Sequence, residues 1–197
     1  MRGAALLVAA AVAGVATARA EPRPRVGVCR PWAWRAVMGT VSAADGCAAM
    51  VLTTDASGSD RATGRAIYQA AVPATGRIAL TVQRLTGDAG SVQIEVAGAW
   101  LILGDGRAGV YTSEAQWAET GLRPYPPALA GRRLIDPSRV ELDLAPREVT
   151  VRIDGVAIGR WPLPARMKAG TFSVWIHGPR GTRSRLRVSD VQVPPPP

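Results

Sequence analysis

Glu148-Val149-Thr150-Val151-Arg152-Ile153-Asp154-Gly155-Val156-Ala157-Ile158-Gly159-Arg160-Trp161 is the stretch on which the fold turns. Val149, Val151 and Ile153 alternate with Thr150 and Arg152. That period of two sends successive side chains to opposite faces of a strand. Asp154-Gly155 follows, the pair favoured in a two-residue type I′ turn, where both central residues need positive φ. With that turn, Ile153 pairs with Val156 and Val151 with Ile158, apolar against apolar on one face. The stretch predicts a β-hairpin with one buried side.

The same period recurs on both sides of it. In Arg77–Leu85, Ile78, Leu80 and Val82 oppose Thr81 and Gln83; in Ser91–Ala97, Val92, Ile94 and Val96 oppose Gln93 and Glu95. Gly87-Asp88-Ala89-Gly90 lies between them as a turn, so the two segments read as a second hairpin. Trp100–Leu103 is a short apolar run, and Val140, Leu142 and Leu144 alternate with Glu141 and Asp143. Phe172, Val174 and Ile176 alternate with Ser173, Trp175 and His177. Leu186 and Val188 share a face, then the phase shifts to Val191 and Val193, which predicts a bulge near Ser189-Asp190. Residues Gly104–Pro137 carry Pro124, Pro126 and Pro127, which exclude a long helix or a central strand. They read as a long loop with a short strand at Val110–Thr112. Helical spacing is almost absent. Short alternating strands separated by turns imply an all-β, two-sheet antiparallel sandwich.

The chain opens with one early arginine, an apolar stretch over Ala4–Val15 and the pattern Ala18-Arg19-Ala20. That order describes a cleavable signal peptide. Its apolar core is shorter than the ~20 residues a membrane span needs. The reading divides the chain into a signal peptide at 1–20, a sandwich domain at 21–193 and an extended proline tail at 194–197, and it places the product outside the cell or in the periplasm. Val28 before Cys29 argues against lipid attachment there. With Lys+Arg at 24 and Asp+Glu at 15 the formal charge is +9, and it falls to +7 once Arg2 and Arg19 leave with the leader. A basic surface suits acidic polysaccharide, anionic lipid or nucleic acid, and export argues against the last, but plain compositional bias toward arginine is the favoured reading of the charge. Oligomeric state is not legible. Cys29 and Cys47 form an even pair that in an oxidising compartment implies one disulfide, worth about 3 kcal/mol. Two cysteines and one histidine cannot fill a structural zinc site, so neither metal nor cofactor is expected.

The chemistry-bearing residues each have a plain structural reading beside the functional one. Gly104-Asp105-Gly106-Arg107-Ala108-Gly109 matches G-x-G-x-x-G, but Val110-Tyr111-Thr112 favours a strand after it, so it reads as a hairpin loop. Glu141 and Asp143 put two carboxylates on one face of a strand, with Glu95 as a partner available from another strand. Alternation alone also predicts polar residues there. His177 is the sole histidine, and no nucleophile elbow accompanies it. Ser173, Trp175 and His177 form an outward stripe, with an indole face suited to a sugar ring. Trp100, Tyr111, Trp117 and Tyr125 lie on or near the long loop and suit an aromatic-lined groove or the loop's own small core. Arg183, Arg185 and Arg187 alternate on the last strand; they suit sulfate, carboxylate or phosphate groups, but charge that guards an edge against aggregation is the preferred reading.

These motifs carry a resemblance. Val149–Ile153, Asp154-Gly155, Val156–Trp161, Gly170-Thr171-Phe172-Ser173-Val174-Trp175 and Leu186–Val193 together resemble the C-terminal half of a concanavalin A-like lectin/glucanase sandwich. More narrowly they are similar to its laminin-G-like and 3-keto-disaccharide-hydrolase-like branch, and Trp117 after Gly109-Val110-Tyr111 fits that layout. The resemblance implies a jelly roll and, often, carbohydrate binding. Glu141-Leu142-Asp143-Leu144 also resembles the start of the laminarinase E-x-D-x-E motif, but Ala145 stands where the acid/base carboxylate belongs. The chain has no asparagine, so a legume-lectin calcium site is not expected. The expectation is a non-catalytic exported sandwich that binds glycan or another anionic or extracellular polymer, through Trp100, Tyr111, Trp117, Trp175 and His177. A sugar-active hydrolase using Glu95, Glu141 or Asp143 and a structural envelope domain are the alternatives.

Overall fold

A computed structural model describes residues 33–55, 61–86, 90–96, 98–113, 121–163 and 170–194. Fourteen strands among them form two seven-stranded antiparallel sheets. The first sheet runs β1 (Trp34–Met38), β4 (Arg61–Val72), β13 (Gly170–Pro179), β6 (Ser91–Val96), β7 (Ala99–Gly104), β8 (Arg107–Tyr111), β9 (Arg123–Pro124). The second runs β12 (Val156–Pro162), β11 (Glu148–Ile153), β10 (Ser138–Ala145), β5 (Gly76–Thr86), β14 (Arg185–Gln192), β3 (Ala49–Thr53), β2 (Thr40–Ala44). The all-β sandwich expected from alternation is the observed architecture. No helix among the described residues is long and apolar enough to cross a membrane.

Alternation decides what is buried. Phe172, Val174 and Ile176 on β13 and Val92, Ile94 and Val96 on β6 face Ile78, Leu80, Val140, Leu142 and Val151 of the other sheet, all in one core. Each such side chain contributes about 1.5–3 kcal/mol by leaving water. Trp34, Tyr68 and Phe172 close one part of the core as an aromatic trio with centroids 5.2–5.8 Å apart.

The β11–β12 hairpin forms as predicted at its tip, where Ile153 pairs Val156 and Asp154 and Gly155 have φ of 50° and 80°. The expected Val151–Ile158 pair does not form. A bulge sets Val151 opposite Gly159 and leaves Ile158 as the extra residue. The bulge shifts the phase, so Val156 before it, Ile158 at it and Trp161 after it all pack in or against the core. The predicted bulge on β14 is present between Ser189 and Gln192, with Asp190 at φ 51°.

Three further expectations need correction. β5 and β6 are not a hairpin: β5 pairs with β10 and β14, β6 with β13 and β7, in different sheets. Both strands bury one face, which is all alternation can say; their partners put β5 in the second sheet and β6 in the first. The last strand is not an edge, because β14 lies between β5 and β3. The long loop is more structured than expected: Gly104 pairs Arg107, so Asp105-Gly106 is a tight turn joining β7 to β8. That G-x-G-x-x-G segment is therefore the hairpin expected of it. Arg84, nearly buried, ties this turn to the following loop: its guanidinium meets Asp105 at 3.1 Å, and the Leu134 N–H donates to the same carboxylate at 2.7 Å.

Candidate functional site

Strand register on the first sheet brings distant residues into rows on its outer face. One row reads Arg35, Ile67, Ser173, Glu95, Trp100, Tyr111 across β1, β4, β13, β6, β7 and β8. The next reads Arg65, Trp175, Gln93, Ile102, Gly109. Thr63, His177 and Ser91 follow. The stripe Ser173-Trp175-His177 thus lies in the middle of a sheet face, flanked by polar groups from β4 and β6.

Glu95 organises this face. Its Oε2 accepts hydrogen bonds from Ser173 Oγ at 2.9 Å, Arg65 Nη2 at 3.1 Å and Trp175 Nε1 at 3.2 Å. The Arg65 guanidinium also lies over the Trp175 ring, 4.2 Å from its centroid, a cation–π contact. His177 stacks beside Trp175 with an interplanar angle of 23°. Arg65, Trp175 and His177 therefore form a layered set of flat groups, the first two held by one carboxylate. Burial, assisted by the charge of Arg61, pushes the His177 imidazole down to about 4, which leaves it neutral at pH 7. Its Nδ1 is buried and has no hydrogen-bond partner among the described residues.

The other expected residues fall in different places. Trp100 is half-buried beside Glu95. Tyr111 is 1% exposed. Its ring fills the space where a Cβ on Gly109 would sit, and its hydroxyl donates to the Gly121 carbonyl. It is a buried packing residue. Trp117, Cys29 and the leader lie outside the described residues. Tyr125 is partly buried, its hydroxyl donating to the Gly104 carbonyl at 3.3 Å, and burial beside Asp105 pushes its phenol up to about 12. Cys47 ends a short 3-10 turn, Asp45–Cys47.

Glu141 and Asp143 stand on the outer face of the other sheet. Arg77 meets Asp143 at 2.6 Å and Glu141 at 3.9 Å, and Arg152 also pairs with Asp143. The Arg77 hydrogen bond above all, with Arg152, holds the Asp143 carboxyl below the ordinary carboxylate range against a desolvation effect that raises it. No group of three or more His, Cys, Asp or Glu among the described residues is placed to hold a metal ion.

Sequence reasoning missed Arg65, the cation that joins Glu95 to Trp175. Its strand was hidden because the inward positions of β4 are Ala62, Gly64 and Ala66, too small to mark a buried face. A Cβ on Gly64 would meet Leu52 and Ile176 at 3.2 Å, so the sheets close tightly there and exclude larger, more legible residues. The alternation Arg61-Thr63-Arg65-Ile67 against small residues was the available signal.

No known family profile and no curated protein sequence matches this chain. Solved structures match its fold at low identity. A Bacillus licheniformis β-glucanase superposes with a TM-score of 0.60 at 11% identity over 83% of this chain and 92% of that one. The metal-free carbohydrate recognition domain of Emp46p gives 0.53 at 10% identity over 80% and 88%. A sialidase gives 0.57 at 15% identity over 82% of this chain, which spans only 17% of the sialidase. The fold is that of the concanavalin A-like jelly rolls. None of these likenesses narrows it to a branch or carries an activity across.

Proposed function

We propose that this chain is an exported, non-catalytic β-sandwich domain that binds glycan on the outer face of its first sheet. The observation that carries the reading is the state of Glu95, whose one oxygen is clasped by Ser173, Arg65 and Trp175 at once. Such a carboxylate holds an indole and a guanidinium in place. Glycoside hydrolysis also needs a second carboxyl about 5–9.5 Å away. Among the described strand residues, no other carboxylate shares that face. Glu141 and Asp143 project from the far side of a two-layer sandwich whose sheets alone are about 10 Å apart. Within that pair, Asp143 is held acidic by Arg77, the reverse of what a general acid requires. The described strands of that second face also offer no outward aromatic ring. On the first face, by contrast, Trp100, Trp175, Gln93 and Arg65 combine flat apolar surface with hydrogen-bond donors, the mixture that small polar ligands use. The glucanase and the carbohydrate recognition domain that share the fold support the same direction.

The test is a screen of the protein on neutral and acidic glycans, run beside an assay for reducing ends released from the same polymers. Binding without release is expected. Trp100→Ala and Trp175→Ala should each weaken binding about tenfold or more, as aromatic anchors do, with an unchanged far-UV spectrum. Release of reducing ends that Glu95→Gln abolishes would make the protein a hydrolase. Silence toward every glycan would favour a structural role.

A further inference from the structure

We infer that the glycan is a polyanion, a uronate- or sulfate-bearing polysaccharide, engaged by Arg35, Arg61, Arg65 and Arg107; the inference rests on the glycan-binding reading above. Arg61 and Arg65 point outward on β4, in register with Pro179 and Trp175. Arg35 stands beside Ile67 on β1, and Arg107 beside Gly104 on β8, in the same outward phase. Against these four arginines the described strands of this face set one carboxylate, Glu95. Only Arg65 of the four stands in an ion pair among the described residues.

The opposite face supplies the contrast. There Arg77 and Arg152 pair with Asp143, Arg160 with Glu148, and Arg187 with Asp45. Arg139 and Arg185 of that face stand in no ion pair among the described residues, but Glu141, Asp143, Glu148 and Asp190 on its strands and Asp45 beside them offset most of its arginines, whereas the first face sets Glu95 alone on its described strands against four. A face with one sign of charge concentrates ligands of the opposite sign. Guanidinium forks match carboxylate and sulfate oxygens in particular. Spacing then selects a polymer over a small anion. Arg61 and Arg65 are four residues apart on one strand, about 13 Å. Arg35 and Arg107 lie five strand steps apart, about 24 Å across the strands, and are offset by a further four residues, about 13 Å, along them. One sugar cannot reach all four, whereas an extended chain with repeated charge can. Trp100 and Trp175 between the arginines supply the apolar contact that a sugar ring uses and a bare polyanion does not.

The full chain is titrated with polygalacturonate, chondroitin sulfate, a neutral β-glucan and polyphosphate of matched length. At least one acidic glycan should bind about tenfold more tightly than the neutral glucan and the polyphosphate, with added salt weakening it. The Arg61→Ala/Arg107→Ala double variant should lose about tenfold toward that glycan. Arg160→Ala/Arg187→Ala, on the other face, should lose nothing. Equal affinity for neutral glucan, abolished by Trp100→Ala, would overturn the inference and leave the glycan-binding reading standing. Equal affinity for polyphosphate would reduce the face to plain ion exchange and overturn the inference. Absence of binding to all four would overturn both.

Discussion

His177 bears most directly on how the site residues respond to pH. Its ring is stacked on Trp175, its Nδ1 lacks a described partner, and its titration is pushed down to about 4 by burial and by Arg61. An unfolded histidine titrates near 6.5. Between those two values the unfolded chain binds a proton that the folded chain refuses, so stability falls as pH drops from about 6.5 toward 4. Because the ring is partly exposed, the loss is about 1–2 kcal/mol. The depressed carboxyls of Asp105 and Asp143 act with the same sign but in a lower window, below the ordinary carboxylate range. For Asp105, burial favours the protonated form, but the Leu134 N–H and the Arg84 guanidinium outweigh it. Urea denaturation across pH 4–7 should therefore show a slope in the wild type that His177→Phe removes. An identical slope in the variant would assign it elsewhere. At this scale the sequence marked Glu95, Trp175 and His177 one by one, because their outward phase on a strand is local. That Glu95 would hold both Trp175 and Arg65 was not legible, since it depends on register between strands 30 and 80 residues apart.

At the scale of elements, the bulges show how a strand keeps both of its apolar phases. On β14, Leu186 and Val188 are buried before the bulge, and Val191 and Val193 pack against the core after it. Asp190 provides the extra residue with φ 51°, a conformation an L residue adopts at a cost that rises with β-branching. Asp190→Gly should stay within about 0.5 kcal/mol of wild type, whereas Asp190→Val should cost about 1–2 kcal/mol. Equal losses from both substitutions would mean that the exposed side-chain bond to Ser189, and not the backbone, holds the bulge. This bulge was readable because the phase shift is written in the spacing of four apolar residues, Leu186, Val188, Val191 and Val193. The bulge on β12 was not, because Gly159 opposite Val151 leaves no apolar mark. The β5–β6 connection was misread for a different reason: Gly87–Gly90 permits a reversal within one sheet as readily as a crossing between two.

For the whole molecule, the proposals that reach beyond the described residues concern export and the cysteine pair. The secreted protein should begin at Glu21 on N-terminal sequencing, and its intact mass should rise by two hydrogens on reduction of a Cys29–Cys47 bridge. Reduction should then lower stability by about 3 kcal/mol in the chain-entropy account. A mass unchanged by reductant would remove the bridge and leave the sandwich, whose core among the described residues does not include Cys47.

By itself the sequence determined that this chain buries one side of many short strands and must therefore stack sheet on sheet. That property is local: it follows from the pleat, which turns each side chain away from the next. It also determined the Asp154-Gly155 turn, since only a few residues tolerate positive φ there. The tertiary structure alone decided which strands are neighbours. It set Arg65, Glu95 and Trp175 on one face and Glu141 and Asp143 on the opposite one. Pairing joins backbones whose hydrogen-bonding groups are the same at every residue, so the choice of partner is made by the core as a whole.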